Sequence, residues 1–154
     1  MEKDLNKIME ALGDTVYRLA LCRLQNRLDA EDVYQDVFLR LLKQDIQGWD
    51  EEHLKAWLIR VTLNRCADIG RFRIKKQTIS FSEAVGNKKT DTEEYQELWD
   101  AIARLPVKFR TPIHLYYMEE YSTDEIAQIL KIPASTVRSR LYKARKKLKD
   151  MLGG

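Results

Sequence analysis

One stretch constrains the fold of this chain more than any other: Ser122–Lys149, STDEIAQILKIPASTVRSRLYKARKKLK. Ser122 can accept a hydrogen bond from the backbone N–H three residues on, while Glu125 reaches back to the N–H of Ser122, so a capping box starts a helix here. Ile126, Ile129 and Leu130 then recur at helical spacing, and Ala127 is small enough to let a second helix approach closely. Lys131, Ile132 and Pro133 form the turn, because Pro133 disfavours helical geometry at Ile132 and has no N–H of its own. Ser135 is the expected N-cap of the next helix. On a wheel of about 100° per residue, Val137, Leu141, Ala144 and Leu148 share one narrow stripe, which is the expected buried face. The pattern reads as a helix-turn-helix.

The rest of that second helix is cationic and polar. Ser135, Thr136, Arg138, Ser139, Arg140, Tyr142, Lys143, Arg145 and Lys146 flank or oppose the stripe, with no acid between Pro133 and Lys149. Such a face fits a major groove, where Arg can donate two hydrogen bonds to guanine and Lys can neutralise phosphate. Residues near the helix N-terminus are best placed to touch bases, and later ones to touch backbone. The bland alternative is an amphipathic helix with a solvated basic face. Capping box, small Ala127, Ile-Pro turn and internal Val137 in one register favour DNA recognition.

The charge of the whole chain says less than its distribution. A formal net charge of +3 is too modest for indiscriminate nucleic-acid binding. The N-terminus, MEKDLNKIMEALGD, lacks an apolar signal core, and no uncharged apolar run approaches membrane-spanning length; the expectation is a cytoplasmic chain without membrane insertion. Cys22, Cys66, His53 and His114 are scattered, with no zinc-site spacing, and both thiols are expected reduced and buried. There is no Gly-rich phosphate loop and no nucleophile elbow, so no cofactor, metal or catalytic site is expected.

The remaining segments read as helices throughout. Leu5 to Leu24 carries an apolar face of Leu5, Ile8, Met9, Leu12, Val16, Leu19 and Ala20, broken by Gly13, and forms one core helix or a pair. Asp29 is the expected N-cap of a second helix, with Glu31 and Asp32 suited to the positive end of its dipole. There Val33, Val37 and Leu41, with Tyr34 and Phe38, turn inward, while Asp32, Gln35, Asp36 and Arg40 point elsewhere. By spacing, those acids serve either as solubilising charge or as a contact for a basic partner helix. Asp50 caps a third helix buried along Leu54, Trp57, Leu58 and Val61, whose second half is basic at Arg60, Arg65, Arg71, Arg73, Lys75 and Lys76. Trp57 reads as core in preference to a base-stacking platform. Residues 77–92 lose the period and read as a flexible linker. Order resumes with a capping box at Asp91–Glu94 and the inward set Tyr95, Leu98, Ile102 and Leu105. Pro106 ends that helix, and another spans roughly 107–118 with Pro112 expected to bend it. The expected organisation is all-α: two small helical domains, 1–76 and 93–154, joined by the linker at 77–92.

Three blocks in this order carry a resemblance. Ala30-Glu31-Asp32-Val33 with Asp36-Val37-Phe38 forms the first; Trp57-Leu58-x-Arg60 with Asn64 and Asp68 forms the second. Leu105-Pro106 with Arg110, Ser122-x-x-Glu125-Ile126-Ala127 and Ser135-Thr136-Val137-Arg138-Ser139-Arg140-Leu141 form the third. Together they resemble the sigma-70 family of bacterial RNA polymerase sigma factors, specifically the small extracytoplasmic-function group that holds only the second and fourth sigma regions. The resemblance covers nearly the whole chain. Two family glycines are missing: Glu120 stands where one often precedes the Ser cap, and Lys131 stands where one is usual in the turn. Lys131 is therefore expected to be left-handed, at a cost of order 1 kcal/mol.

The resemblance implies a division of labour. Asp29, Glu31, Asp32, Gln35 and Asp36 would dock on the clamp helices of core RNA polymerase. Asn64, Arg65, Asp68, Arg71, Arg73, Lys75 and Lys76 would meet the minus-ten element and its unwound strand. Ser135, Thr136, Arg138, Ser139, Arg140, Tyr142 and Lys143 would read the minus-thirty-five element. An anti-sigma factor is the expected regulator, and the chain would have no catalytic site of its own. The alternative is an ordinary helix-turn-helix repressor or activator, which needs neither the acidic helix nor a second basic one.

Overall fold

Asp4, Asn26 and Asp50 each start a helix by accepting a backbone N–H three residues on, from Lys7 at 3.2 Å, Asp29 at 3.0 Å and His53 at 2.8 Å. The helices are α1 (Leu5–Leu24), α2 (Arg27–Leu42) and α3 (Glu51–Phe72). In this computed structural model, which describes residues 4–72 and 93–153, the chain continues with α4 (Glu93–Ala103) and α5 (Val107–Ile113). A π-helical turn (His114–Met118), α6 (Thr123–Leu130) and α7 (Ala134–Met151) complete it. The described residues contain no strand, and the fold is all-α. Two compact units divide the chain, Met1–Gln77 and Thr78–Gly154. The expected linker at 77–92, the capping residue Asp91 and the basic residues Arg73, Lys75 and Lys76 lie outside the described residues.

In the first unit α1, α2 and α3 pack on one another. Val16 and Leu19 of α1, Val33, Val37 and Leu41 of α2, and Leu58, Ile59 and Cys66 of α3 are almost wholly removed from solvent. Each large aliphatic side chain so buried is worth about 1.5–3 kcal/mol. Trp57 and Val61, expected in that core, are only half-buried; the inward face of α3 rotates toward Ile59, Thr62 and Cys66. Gly13 does not break α1. It is a point of close approach, where an added Cβ would lie 2.9 Å from the Tyr34 hydroxyl.

The expected cap Asp29 is corrected to Asn26. Gln25, at φ 54°, closes α1, leaving Asn26 as the single extended residue before α2 begins. Asp29 therefore falls inside the first turn, buried to 6% exposure, and offers its own N–H to Asn26.

In the second unit α7 packs against α4, α5 and α6. Arg110 is buried and donates from one guanidinium nitrogen to the carbonyls of Ala103 (3.2 Å) and Leu105 (2.6 Å), satisfying acceptors at the end of α4. Pro112 cannot donate in α5. Two residues beyond it the ladder widens into the π turn, closed by the Glu119 N–H on the His114 carbonyl at 3.2 Å. The side chains of the same two residues meet in the interior, with His114 Nε2 3.4 Å from Glu119 Oε2.

Candidate nucleic-acid interface

The capping box that opens α6 is complete: the Glu125 N–H donates to Ser122 Oγ at 3.1 Å, and the Ser122 N–H donates to Glu125 Oε1 at 2.9 Å. At its far end Lys131 is left-handed (φ 59°, ψ 45°), and the N–H groups of Lys131 and Ile132 both reach the Ala127 carbonyl. Glu120, the other residue at a family glycine position, is left-handed too, at φ 61°. These two reversals aim α6 into the protein and turn the chain into α7.

α7 begins two residues earlier than expected. Pro133 (φ −62°, ψ 148°) is the residue before the helix, and its carbonyl accepts from Thr136 and Val137 at 3.0 and 3.1 Å. Ser135 is therefore not the N-cap. Proline's fixed φ already suits the helix start, so Ser135 sits in the first turn with its hydroxyl exposed. The buried face of α7 is Val137, Leu141, Ala144 and Leu148, the stripe read from the sequence. Ser135, Arg138, Ser139, Tyr142 and Lys143 are exposed, Tyr142 to 65%, and Thr136 and Arg140 are half-buried.

Aromatic groups line one flank of that face. Arg145 Nε donates to the Tyr117 hydroxyl at 2.6 Å, with its guanidinium carbon 5.5 Å from the ring centres of both Tyr116 and Tyr117. The π turn thus pins a cation of α7 by a hydrogen bond and by two rings. On the opposite flank, Lys108 and Phe109 of α5 with Ser135, Thr136, Ser139, Arg140 and Lys143 of α7 enclose a recess of about 390 Å³.

The first unit has two further candidate surfaces. On α2, Glu31, Asp32 and Gln35 are exposed and Asp36 is half-buried, whereas Asp29 is inside. Leu28, Leu39 and Leu42 stand out at 73%, 59% and 48% exposure. Leu28, Asp32, Gln35, Leu39 and Leu42 follow the alternating four-and-three spacing of a helix-docking seam. The sequence reading missed the leucines because α2 is apolar on its inner side as well, and the heptad spacing was the available signal. On α3, Asn64 is exposed, whereas Arg65 and Asp68 are half-buried and paired. Arg65 Nε approaches Asp36 Oδ2 at 2.8 Å as a charge contact without hydrogen-bond alignment, and its Nη1 donates to Asp68 Oδ2 at 3.1 Å. Arg40 Nε donates to the same Asp36 oxygen at 2.8 Å. Residues assigned to two different partners are thus joined in one network across α2 and α3.

Burial pushes the Cys66 thiol up to about 12, despite the opposing Arg23 and Arg65 charges. Desolvation likewise raises the Tyr17 and Tyr34 hydroxyls, with Glu31 and Asp14 respectively adding to the effect. No helix of the described residues is long and apolar enough to cross a membrane.

Comparison with known proteins follows the same division. Residues 8–78 match the family description "Sigma-70 region 2", and residues 95–148 match "Sigma-70, region 4". The chain is 30% identical over 154 residues to the ECF RNA polymerase sigma factor SigM of Bacillus subtilis, covering 96% of this chain and 94% of that protein. It is 29% identical over 157 residues to the ECF RNA polymerase sigma factor SigE of Mycolicibacterium smegmatis, of which it spans 61%. The fold is that of the sigma factor RpoE solved in complex with the anti-sigma factor NepR from Bartonella quintana. That superposition has a TM-score of 0.76 at 20% identity and covers 98% of both chains.

Proposed function

We propose, taking as premise that this chain belongs to the sigma-70 family in its extracytoplasmic-function group, that it binds core RNA polymerase, selects promoters and assists their melting. The observation that carries this reading is α7: its four apolar residues are buried while Ser135, Arg138, Ser139, Tyr142 and Lys143 stay exposed. In a major groove, Arg138 near the helix start is suited to guanine, and Lys143 one turn later to phosphate. Thr136 and Arg140 lie toward one flank and contribute there.

The polymerase contact is assigned to the exposed seam of α2. Asp32 and Gln35 lie between Leu28 and Leu39, flanked by Glu31 and Asp36, so an apolar helix partner with basic edges fits it. Asp29, being buried, orders the first turn and supports the seam from inside. Asn64, Arg65, Asp68 and Arg71, followed by Arg73, Lys75 and Lys76, are assigned to the minus-ten element and its displaced strand, where a cationic track binds backbone. Melting on this account draws on binding energy and captured bases, and the chain supplies no catalytic group or cofactor. A cytoplasmic location follows from the role. An anti-sigma factor is proposed as regulator by analogy with the NepR complex of the Bartonella relative.

Run-off transcription with purified core polymerase on fragmented DNA from the source genome tests the reading. Discrete new transcripts that vanish with Arg138→Ala are expected. Duplex binding without polymerase binding or transcripts would instead mark an ordinary helix-turn-helix regulator.

A further inference from the structure

We propose that the recess between α5 and α7 is a dedicated phosphate seat, in which Lys108 joins Lys143 and Arg140 in holding one backbone phosphate of the promoter duplex; this rests on the reading of α7 as the promoter-reading helix. Lys108 belongs to α5, outside the helix-turn-helix, and its role was not visible in the sequence.

The recess is about 390 Å³ and contains three cations, three hydroxyls and the Phe109 ring, with no acid in its lining. Among the described residues, no carboxylate pairs with Lys108, Arg140 or Lys143. Three uncompensated cations around one concavity repel each other, and an anion relieves that repulsion. Phe109 is buried and forms a firm floor, with Lys108 Nζ 5.2 Å and Lys147 Nζ 5.7 Å from its ring centre, so the Lys108 stem is held beside the recess.

The position of the recess decides which anion it takes. Thr136, Arg140, Lys143 and Lys147 follow four-and-three spacing along one flank of α7, roughly a quarter turn from the outermost residues Ser135 and Ser139. A helix seated in a major groove presents its outermost residues to bases and its flanks to the two groove walls, which are phosphate backbones. The recess opens on one wall, so its ligand is a phosphodiester of one strand. A phosphate contact fixes register without reading sequence.

The test uses holoenzyme assembled from core polymerase and the full chain, on a promoter duplex recovered by run-off transcription. Single phosphates of the minus-thirty-five region are replaced in turn by neutral methylphosphonate. Wild type is expected to lose about 5-fold in affinity near 0.15 M salt at one phosphate of one strand, the effect of releasing one fewer counterion. Lys108→Gln should cost a similar factor on every sequence and lower the salt slope by about 0.9, while Lys108→Arg restores both. Lys108→Gln combined with that one methylphosphonate should be no worse than either alone. Full additivity at every phosphate, or an unchanged slope in Lys108→Gln, overturns the seat while leaving promoter reading intact. Failure of wild-type holoenzyme to bind any such duplex overturns both. Lys108 is exposed, and its replacement leaves folding undisturbed.

Discussion

Lys131 should stabilise the second unit when replaced by glycine, although glycine is ordinarily the costlier residue. Its φ of 59° and ψ of 45° place an L-residue in the left-handed region, which costs about 1–2 kcal/mol. Lys131→Gly removes that strain and keeps the two N–H bonds to the Ala127 carbonyl, which are made by backbone alone. Against this, the unfolded chain gains freedom worth about 0.4–1 kcal/mol. The side chain is exposed and forms no ion pair among the described residues, so little else is lost. The net expectation is a gain of about 0.5–1 kcal/mol. Native-state hydrogen exchange at Val137, Leu141 and Ala144, all in the core of that unit, reads the effect without interference from the first unit. Exchange should slow about 2- to 5-fold. Lys131→Val is the control, since a β-branched residue is least tolerant of positive φ, and it should speed exchange. Equal exchange in the valine and glycine variants would refute the left-handed turn and the argument built on it.

Other outcomes follow from features of each unit. Arg110→Met removes the donor shared by the Ala103 and Leu105 carbonyls and should cost the second unit about 2–4 kcal/mol, with exchange in α1 unchanged. The pair Leu28→Ser and Leu39→Ser should leave denaturant midpoints within about 0.5 kcal/mol, since both side chains are exposed, yet weaken core polymerase binding roughly 10-fold or more in a pull-down titration. The first unit should lose stability as pH climbs from about 9 toward 12. The Cys66 thiol holds its proton more tightly folded than unfolded, so its contribution is complete below the unfolded value of 9.0 and is lost as pH rises through the folded value of about 12. The raised Tyr17 and Tyr34 hydroxyls act in the same direction. A denaturant midpoint that stays flat between pH 9 and 11 would contradict this.

Helix faces were legible because a 3.6-residue period survives in the sequence wherever one side of a helix is buried. The α7 stripe of Val137, Leu141, Ala144 and Leu148 and the limits of α1 emerged unchanged in the structure. Caps were less legible where two cap-forming residues compete. Asn26 preceded Asp29 because Gln25 turned the chain first, and Pro133 preceded Ser135 because its own φ already fits the start of a helix. Contacts distant in sequence left no local trace: Arg65 lies 29 residues from Asp36, and nothing near either residue announces the pairing. The recess at Lys108 was hidden for the same reason, since Lys108 and Lys143 meet only through the packing of α5 on α7.

The π turn at His114–Met118 sets a rotational phase. A turn that takes one residue more than an α turn rotates every side chain after it by nearly a quarter to a third of a revolution relative to an uninterrupted helix. Tyr117 meets Arg145 only at that angle, and Glu119 returns beneath His114 by the same offset. A one-residue deletion within this turn would preserve composition, charge and helix content almost entirely, yet send the tyrosines to a different side of the molecule. The number of residues in this turn therefore governs which surface the tyrosines reach, independently of the identity of any single residue in it.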